Sequence, residues 1–204
     1  MELFDPVVDA DKNWLPYDGV VQYHGKIFDA RQADALYAEL LNTIAWQHDK
    51  AVIMGKVIET KRMVAWYASE PFAYRYSGVT KVALLWTDTL HQIKAQVEQH
   101  AGEQFNSCLL NLYHFGDEGM TWHSDGEREL KKDGTIASVS LGAERQFSFK
   151  HKQTNQRVDM RLAHGSLMVM KGTTQTHWLH RLPPTKKVKT GRINLTFRQM
   201  MGAR

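Results

Sequence analysis

Arg192-Ile193-Asn194-Leu195-Thr196-Phe197-Arg198 alternates without a break. Ile193, Leu195 and Phe197 leave one face of an extended chain, and Arg192, Asn194, Thr196 and Arg198 leave the other, as the two-residue period of a strand requires. Working back from this heptad, the same strand logic holds as far as Phe105. Short apolar runs recur at 105–113, 120–123, 135–141, 145–151, 157–162, 166–171 and 176–181. Turn signals separate them, among them Phe115-Gly116-Asp117, Lys132-Asp133-Gly134 and His164-Gly165-Ser166.

Before Phe105 the period is helical. Asp29 is an N-cap candidate for a helix over 30–46, whose stripe is Leu36, Leu40 and Ile44. A second helix is expected over 87–100, with Leu90, Ile93 and Val97 on one side and Gly102 to stop it. Eight strands after two helices predict a mainly β fold with buttressing helices, a sandwich or jelly roll. Nearer the N-terminus, Val20–Tyr23 and Lys26–Phe28 flank His24-Gly25, which reads as a hairpin turn. Val52-Ile53-Met54 and Val57-Ile58 surround Gly55-Lys56, a tight hairpin with an apolar tip.

The length of 204 residues suits one domain able to bury a real core. The single cysteine, Cys108, rules out an intrachain disulfide and fits a reducing compartment, cytoplasmic or, in a eukaryote, nuclear. The N-terminus has no basic segment followed by an apolar run, so no secretory signal is expected. No apolar stretch approaches the roughly 18 residues of a membrane span. A net charge of +4 suits a polyanionic partner without requiring one. Basic residues gather at Arg145, Lys150, Lys152 and Arg157, and again at Arg181, Lys186, Lys187 and Lys189, where they could meet phosphates.

The chemistry centres on Trp122-His123-Ser124-Asp125-Gly126-Glu127. In extended chain His123 and Asp125 face the same way, and a later histidine would complete the two-His-one-carboxylate set that holds non-haem Fe(II) on one face. His164, His177 and His180 compete for that place. His164 lies in a turn; His177 and His180 are three apart, so in a strand only one faces inward. We favour His180, just ahead of the turn at Pro183 that leads to the Arg192 strand. Arg192 and Arg198 on one strand face suit a molecule with carboxylates at both ends, because guanidinium binds carboxylate as a planar fork. Asn111 and Tyr113 present an amide and a phenol on one face of their strand, able to complete the hydrogen bonds of a buried dicarboxylate.

Asn111-Leu112-Tyr113, His123-Ser124-Asp125, Ile136–Gly142, His164-Gly165-Ser166-Leu167 and the final heptad together resemble the AlkB family. These are Fe(II)/2-oxoglutarate dioxygenases that repair alkylated bases, and the likeness spans about residues 50–200, nearest the branch acting on duplex DNA. The resemblance implies a double-stranded β-helix, with residues 1–50 an N-terminal extension and helix, 51–82 a nucleotide-recognition lid, 83–104 a buttressing helix and 105–200 the catalytic core. It implies His123, Asp125 and His180 on iron, and Asn111, Tyr113, Arg192, Asn194 and Arg198 around 2-oxoglutarate, with O2 as the other cosubstrate. The implied reaction is oxidative demethylation of bases such as 1-methyladenine and 3-methylcytosine in DNA, or in RNA, by a monomer, releasing formaldehyde and succinate. Substrate contacts are expected from Tyr74, Arg75, Tyr76 and Glu127, and from Met54, Gly55 and Lys56 as a finger that enters the base stack. Two other readings are an oxygenase of RNA or protein side chains and a jelly-roll binding module without catalysis.

Overall fold

The breaks in periodicity become element boundaries. The computed structural model describes residues 8–53, 56–76 and 79–201, with side chains at 50–58 and 74–81 outside the description. The first half runs β1 (Val20–Lys26), α1 (Ala30–Thr43), β2 (Gln47–Ile53), β3 (Lys56–Ala68), β4 (Ala73–Tyr76), β5 (Val79–Val82), β6 (Leu84–Leu85) and α2 (Asp88–Ala101). The second runs β7 (Ser107–Tyr113), β8 (Met120–His123), β9 (Ile136–Gly142), β10 (Arg145–His151), β11 (Arg157–Leu162), β12 (Ser166–Lys171), α3 (Thr174–His177), β13 (Trp178–Leu182) and β14 (Arg192–Arg198).

The large sheet has the order β1-β12-β9-β14-β7-β3-β2, with the short β6 parallel to β3. The small sheet has the order β11-β10-β13-β8, and β4 and β5 form a hairpin of their own. This is the jelly roll expected from the sequence, mostly strand with few helices. Among the described residues no helix is long and apolar enough to cross a membrane.

Strand alternation sorts side chains into two cores. Leu110, Val139, Leu141, Val169, Ile193, Leu195 and Phe197 meet Leu40 of α1 and Leu90, Ile93 and Val97 of α2. On the other face of the large sheet, Val21, Ile136, Met168 and Met170 meet Phe149, Met160, Leu162 and Trp178, all four from the small sheet. Along β12 the split is residue by residue, with Leu167 and Val169 to the helices and Met168 and Met170 to the opposite core.

Both helices start where the sequence indicates. Asp29 accepts from Gln32 N–H while Gln32 Oε1 accepts from Asp29 N–H, a reciprocal cap. Gly102, at φ +69°, closes α2 in the left-handed conformation.

Three expectations need correction. His24-Gly25 is no hairpin turn: β1 runs through it, paired to β12, with a bulge between Tyr23 and Gly25 and Gly25 at φ +67°. A left-handed glycine serves a turn or a bulge equally well, and here the exposed edge of β12 provides a partner on both sides of it. Residues 174–177 form a helical turn, so β13 begins at Trp178 and His177 is not on the strand. Arg145 is no phosphate contact: it is 2 % exposed and donates to the carbonyls of Glu118 and Pro183, fastening two loops at the barrel rim. The β2–β3 hairpin pairs as the sequence predicts, Ile53 opposite Lys56, but Met54 and Gly55 at its tip lie outside the described residues.

Candidate metal and anion site

His123 ends β8 and His180 lies directly opposite it on β13. Their rings stand 4.3 Å apart. Asp125, two residues beyond His123, brings Oδ1 to 3.8 Å from Nε2 of each histidine. Its backbone N–H donates to Gln175 Oε1 at 2.9 Å, which fixes the turn after β8. The pairing of β13 between β8 and β10 decides which histidine arrives. His180 is opposite Phe149 as well as His123, packs beside Phe147, and is 5 % exposed.

The protonation states suit a cation. His123 Nδ1 is 2.8 Å from the Thr121 carbonyl and donates to it, which leaves Nε2, on the Asp125 side, as the nitrogen available to a metal. A hydrogen bond from the other ring nitrogen is the usual support for a ligating imidazole. Burial, with His123, Arg198 and Lys152 and against Asp125, takes His180 down to about 4, so it is neutral at physiological pH as a ligand must be. Burial pushes the Asp125 carboxyl up, but Arg198, His180 and His123 outweigh it and hold it below the usual carboxylate range. The donor set of two imidazoles and one carboxylate, with all three ligand atoms within 4.8 Å of one another, fits a divalent metal.

The His180 shift carries a pH prediction. Unfolded histidine binds a proton near pH 6.5, and the folded residue refuses it until about 4. Between those values the unfolded state holds more protons, so the metal-free protein loses stability as pH falls through this window. Thermal melts between pH 7 and 5 should show a smaller drop in His180→Gln than in wild type; equal drops would assign the acid sensitivity elsewhere.

The polar face of β14 is not in water. Arg192 is opposite Tyr113 and Asn194 opposite Asn111 across the β7–β14 pair. Arg192 is 2 % exposed, donates to Ser140 Oγ at 2.8 Å, and leaves Nε without a hydrogen-bond partner. Burial pulls this guanidinium down to about 10, with Tyr113 opposing and Arg145 adding to the effect. A buried cation with an unused donor fits an anionic ligand. Asn194 Nδ2 donates to Ser138 Oγ and the Val139 carbonyl, which ties it to β9. Arg198 turns towards the metal set, Nε 3.4 Å from Asp125 Oδ2 and a terminal nitrogen 3.5 Å from Glu127 Oε1. Asp125, Glu127 and Arg198 share a cavity of about 310 Å³ with Thr135, Ile136 and Gln175.

Two participants escaped sequence reasoning. Arg62 of β3 donates to Asn111 Oδ1 at 2.8 Å and pairs with Asp49, which closes the β2–β3 side over β7. Gln175 lies between the strands expected at 166–171 and 176–181, and in the structure it is part of the helical turn α3. Neither carries a local signal, since each acts on a residue about 50 positions away in the chain, Arg62 across the β3–β7 pair and Gln175 from α3 to the turn after β8. Tyr74, Arg75 and Tyr76 lie on β4, paired with β5, and Lys56 opens β3; their side chains lie outside the description. On the outer face of the small sheet the Trp122 ring has Arg181 at 4.5 Å and Lys150 at 4.9 Å.

The profile of the 2OG-Fe(II) oxygenase superfamily matches residues 19–198. The mouse DNA oxidative demethylase ALKBH2 is 36% identical over 202 residues, covering 94% of this chain and 84% of that protein. The bovine alpha-ketoglutarate-dependent dioxygenase alkB homolog 3 is 35% identical over 180 residues, covering 83% of this chain and 62% of that protein. Among solved structures, OsALKBH1 superposes with a TM-score of 0.59 over 91% of this chain and 99% of that one, at 16% identity, a likeness of fold alone.

Proposed function

This chain belongs to the 2OG-Fe(II) oxygenase superfamily, and from that premise we propose that it oxidatively demethylates N-alkylated bases in DNA. The substrate class rests on one observation, the 36% identity to a DNA oxidative demethylase along 94% of the chain. Enzymes of this family use Fe(II), 2-oxoglutarate and O2, and that set supplies the oxidation that hydroxylates the N-alkyl carbon, so that formaldehyde is lost and succinate and CO2 remain.

The side chains have separate tasks in this reading. His123, Asp125 and His180 would hold the metal, the two imidazoles through ring nitrogens and Asp125 through its carboxylate. Arg198 keeps one carboxylate oxygen occupied and so fixes the orientation of Asp125. Arg192, with Tyr113 beside it and Asn111 and Asn194 at the next pair on that face, receives 2-oxoglutarate together with Arg198 at the other end of the strand, in a buried setting where the charge pairing is strong. Glu127 stands on the cavity wall, held by Arg198, and meets the edge of the extruded base. The segment 51–82 serves as the recognition lid, with Tyr74, Arg75 and Tyr76 against the nucleotide. Lys150 and Arg181 add positive charge for phosphates.

Oligonucleotides bearing 1-methyladenine or 3-methylcytosine, incubated with iron, 2-oxoglutarate and ascorbate, are expected to lose the methyl mass. Turnover of methylated peptides with untouched oligonucleotides would overturn the reading. Met54, Gly55 and Lys56 refine it. An apolar wedge at Met54 fills the gap left by a flipped base and offsets a few kcal/mol of unstacking. Met54→Ala is expected to slow repair in duplexes far more than in single strands, and Met54→Phe to speed the duplex reaction. Equal losses on both substrates would reduce Met54 to a packing residue.

A further inference from the structure

His177, released from the competition for iron, lies in a cluster of its own. Among the described residues a second group has its ligand atoms within 4.8 Å of one another: Asp18, just ahead of β1, His151 at the end of β10, and His177 at the end of α3. We propose that these three residues form a second divalent-metal site, for a borderline transition ion of the Zn(II) type, that fastens the N-terminal arm to the small sheet.

The geometry is that of a ligand set. His151 Nε2 lies 3.3 Å from Asp18 Oδ2 and still makes no hydrogen bond. Two ligands of a tetrahedral zinc, each about 2.0–2.1 Å from the ion, stand about 3.3 Å apart. The His151 side chain is 2 % exposed and the Asp18 carboxylate 50 %. A buried imidazole nitrogen without a partner therefore faces a carboxylate at the surface, with water at hand for a further ligand position. Asp18 takes this place with φ +52°, a left-handed conformation seldom adopted outside glycine, asparagine and aspartate. The His177 ring lies parallel to that of His151, 6.2 Å away.

The surroundings accept the ligating tautomer. With Nε2 on the metal, His151 must donate from Nδ1, and Thr154 Oγ1 is 3.1 Å away. Thr154 can pass its own proton to Tyr17 Oη at 2.8 Å, and Tyr17 donates to Gln156 Oε1 at 2.8 Å. Every side-chain donor in this relay ends on an acceptor, and the Thr154 backbone N–H gives up Nδ1 as its acceptor. Without the metal, the Thr154 backbone N–H serves Nδ1 instead, at 3.2 Å, and the ring turns its Nε2 proton towards Asp18 without completing a bond. A purely structural buried histidine would have both nitrogens satisfied. The edge contacts of Tyr17 and Trp178, each 5.0 Å from the His151 ring, hold it in place.

The donor set is nitrogen and oxygen without sulfur, so Cu(II) and Zn(II) bind more tightly than Fe(II). The site is two residues along β10 from Phe149, the neighbour of His180, or roughly 7 Å along the strand. The ion would thus tie the arm to the sheet that carries a proposed iron ligand.

The test uses His123→Ala/Asp125→Ala, in which the other metal site is dismantled. Zn(II) titrated into it by calorimetry is expected to bind one equivalent per chain and raise the melting temperature. Adding His177→Ala or Asp18→Asn, both at partly exposed side chains, is expected to weaken binding about tenfold or more with the circular dichroism spectrum unchanged. Absence of binding in the parent double variant, or undiminished affinity in both added variants, overturns the site. Demethylation is not read in any arm, so the outcome is independent of the proposed function.

Discussion

Replacing His180 by alanine is expected to abolish turnover and to remove the active-site iron, and His123→Ala and Asp125→Ala should do the same. Each change takes one donor from the cluster of three whose ligand atoms lie within 4.8 Å of one another. Two remaining protein ligands hold Fe(II) poorly, and the orientation of the cosubstrates is lost with the third. The barrel should survive, because His180 is flanked by phenylalanines that belong to a larger core. Anaerobic iron titration and turnover, with circular dichroism as the control, check this. His164 gives the contrast: its ring nitrogens face Gly142 N–H and Asp34, away from the triad. Iron kept in His180→Ala and lost in His164→Ala would sink the assignment.

Arg192→Met should separate stability from cosubstrate binding. In the free protein Arg192 is a cation in the interior whose Nε has no hydrogen-bond partner, and burial lowers its affinity for the proton. An apolar side chain of similar length removes that desolvation cost, so the free variant should melt at or above the wild-type temperature. The same change leaves a buried carboxylate of 2-oxoglutarate without its counter-charge, a loss of about 3–5 kcal/mol. Apparent affinity for 2-oxoglutarate should fall on the order of 10²–10³-fold, and the stabilisation that 2-oxoglutarate gives the wild type in a thermal shift should vanish. An unchanged thermal shift would remove Arg192 from the anion site. A melting temperature well below wild type would show that its bond to Ser140 matters more than its buried charge.

Period alone determined most of the scaffold. The alternation over 192–198 and the i, i+4 stripe through Leu36, Leu40 and Ile44 reappear as β14 and α1 because burial on one face dictates both patterns, whatever the neighbours. His123 and Asp125 were legible as a pair for the same local reason, since side chains two apart in extended chain face alike. The identity of the third member was not. It depends on β13 pairing with β8 on one side and β10 on the other, which puts His180 across from His123 and leaves His177 in a helical turn with His151 and Asp18. The state of Arg192 was equally out of reach. A strand with one polar face can border water or an interior, and only the small sheet, packed against the large one, buries that face and makes the charge costly. Local alternation specifies which way a side chain points; what it points at is set by long-range pairing, which no stretch of the sequence contains.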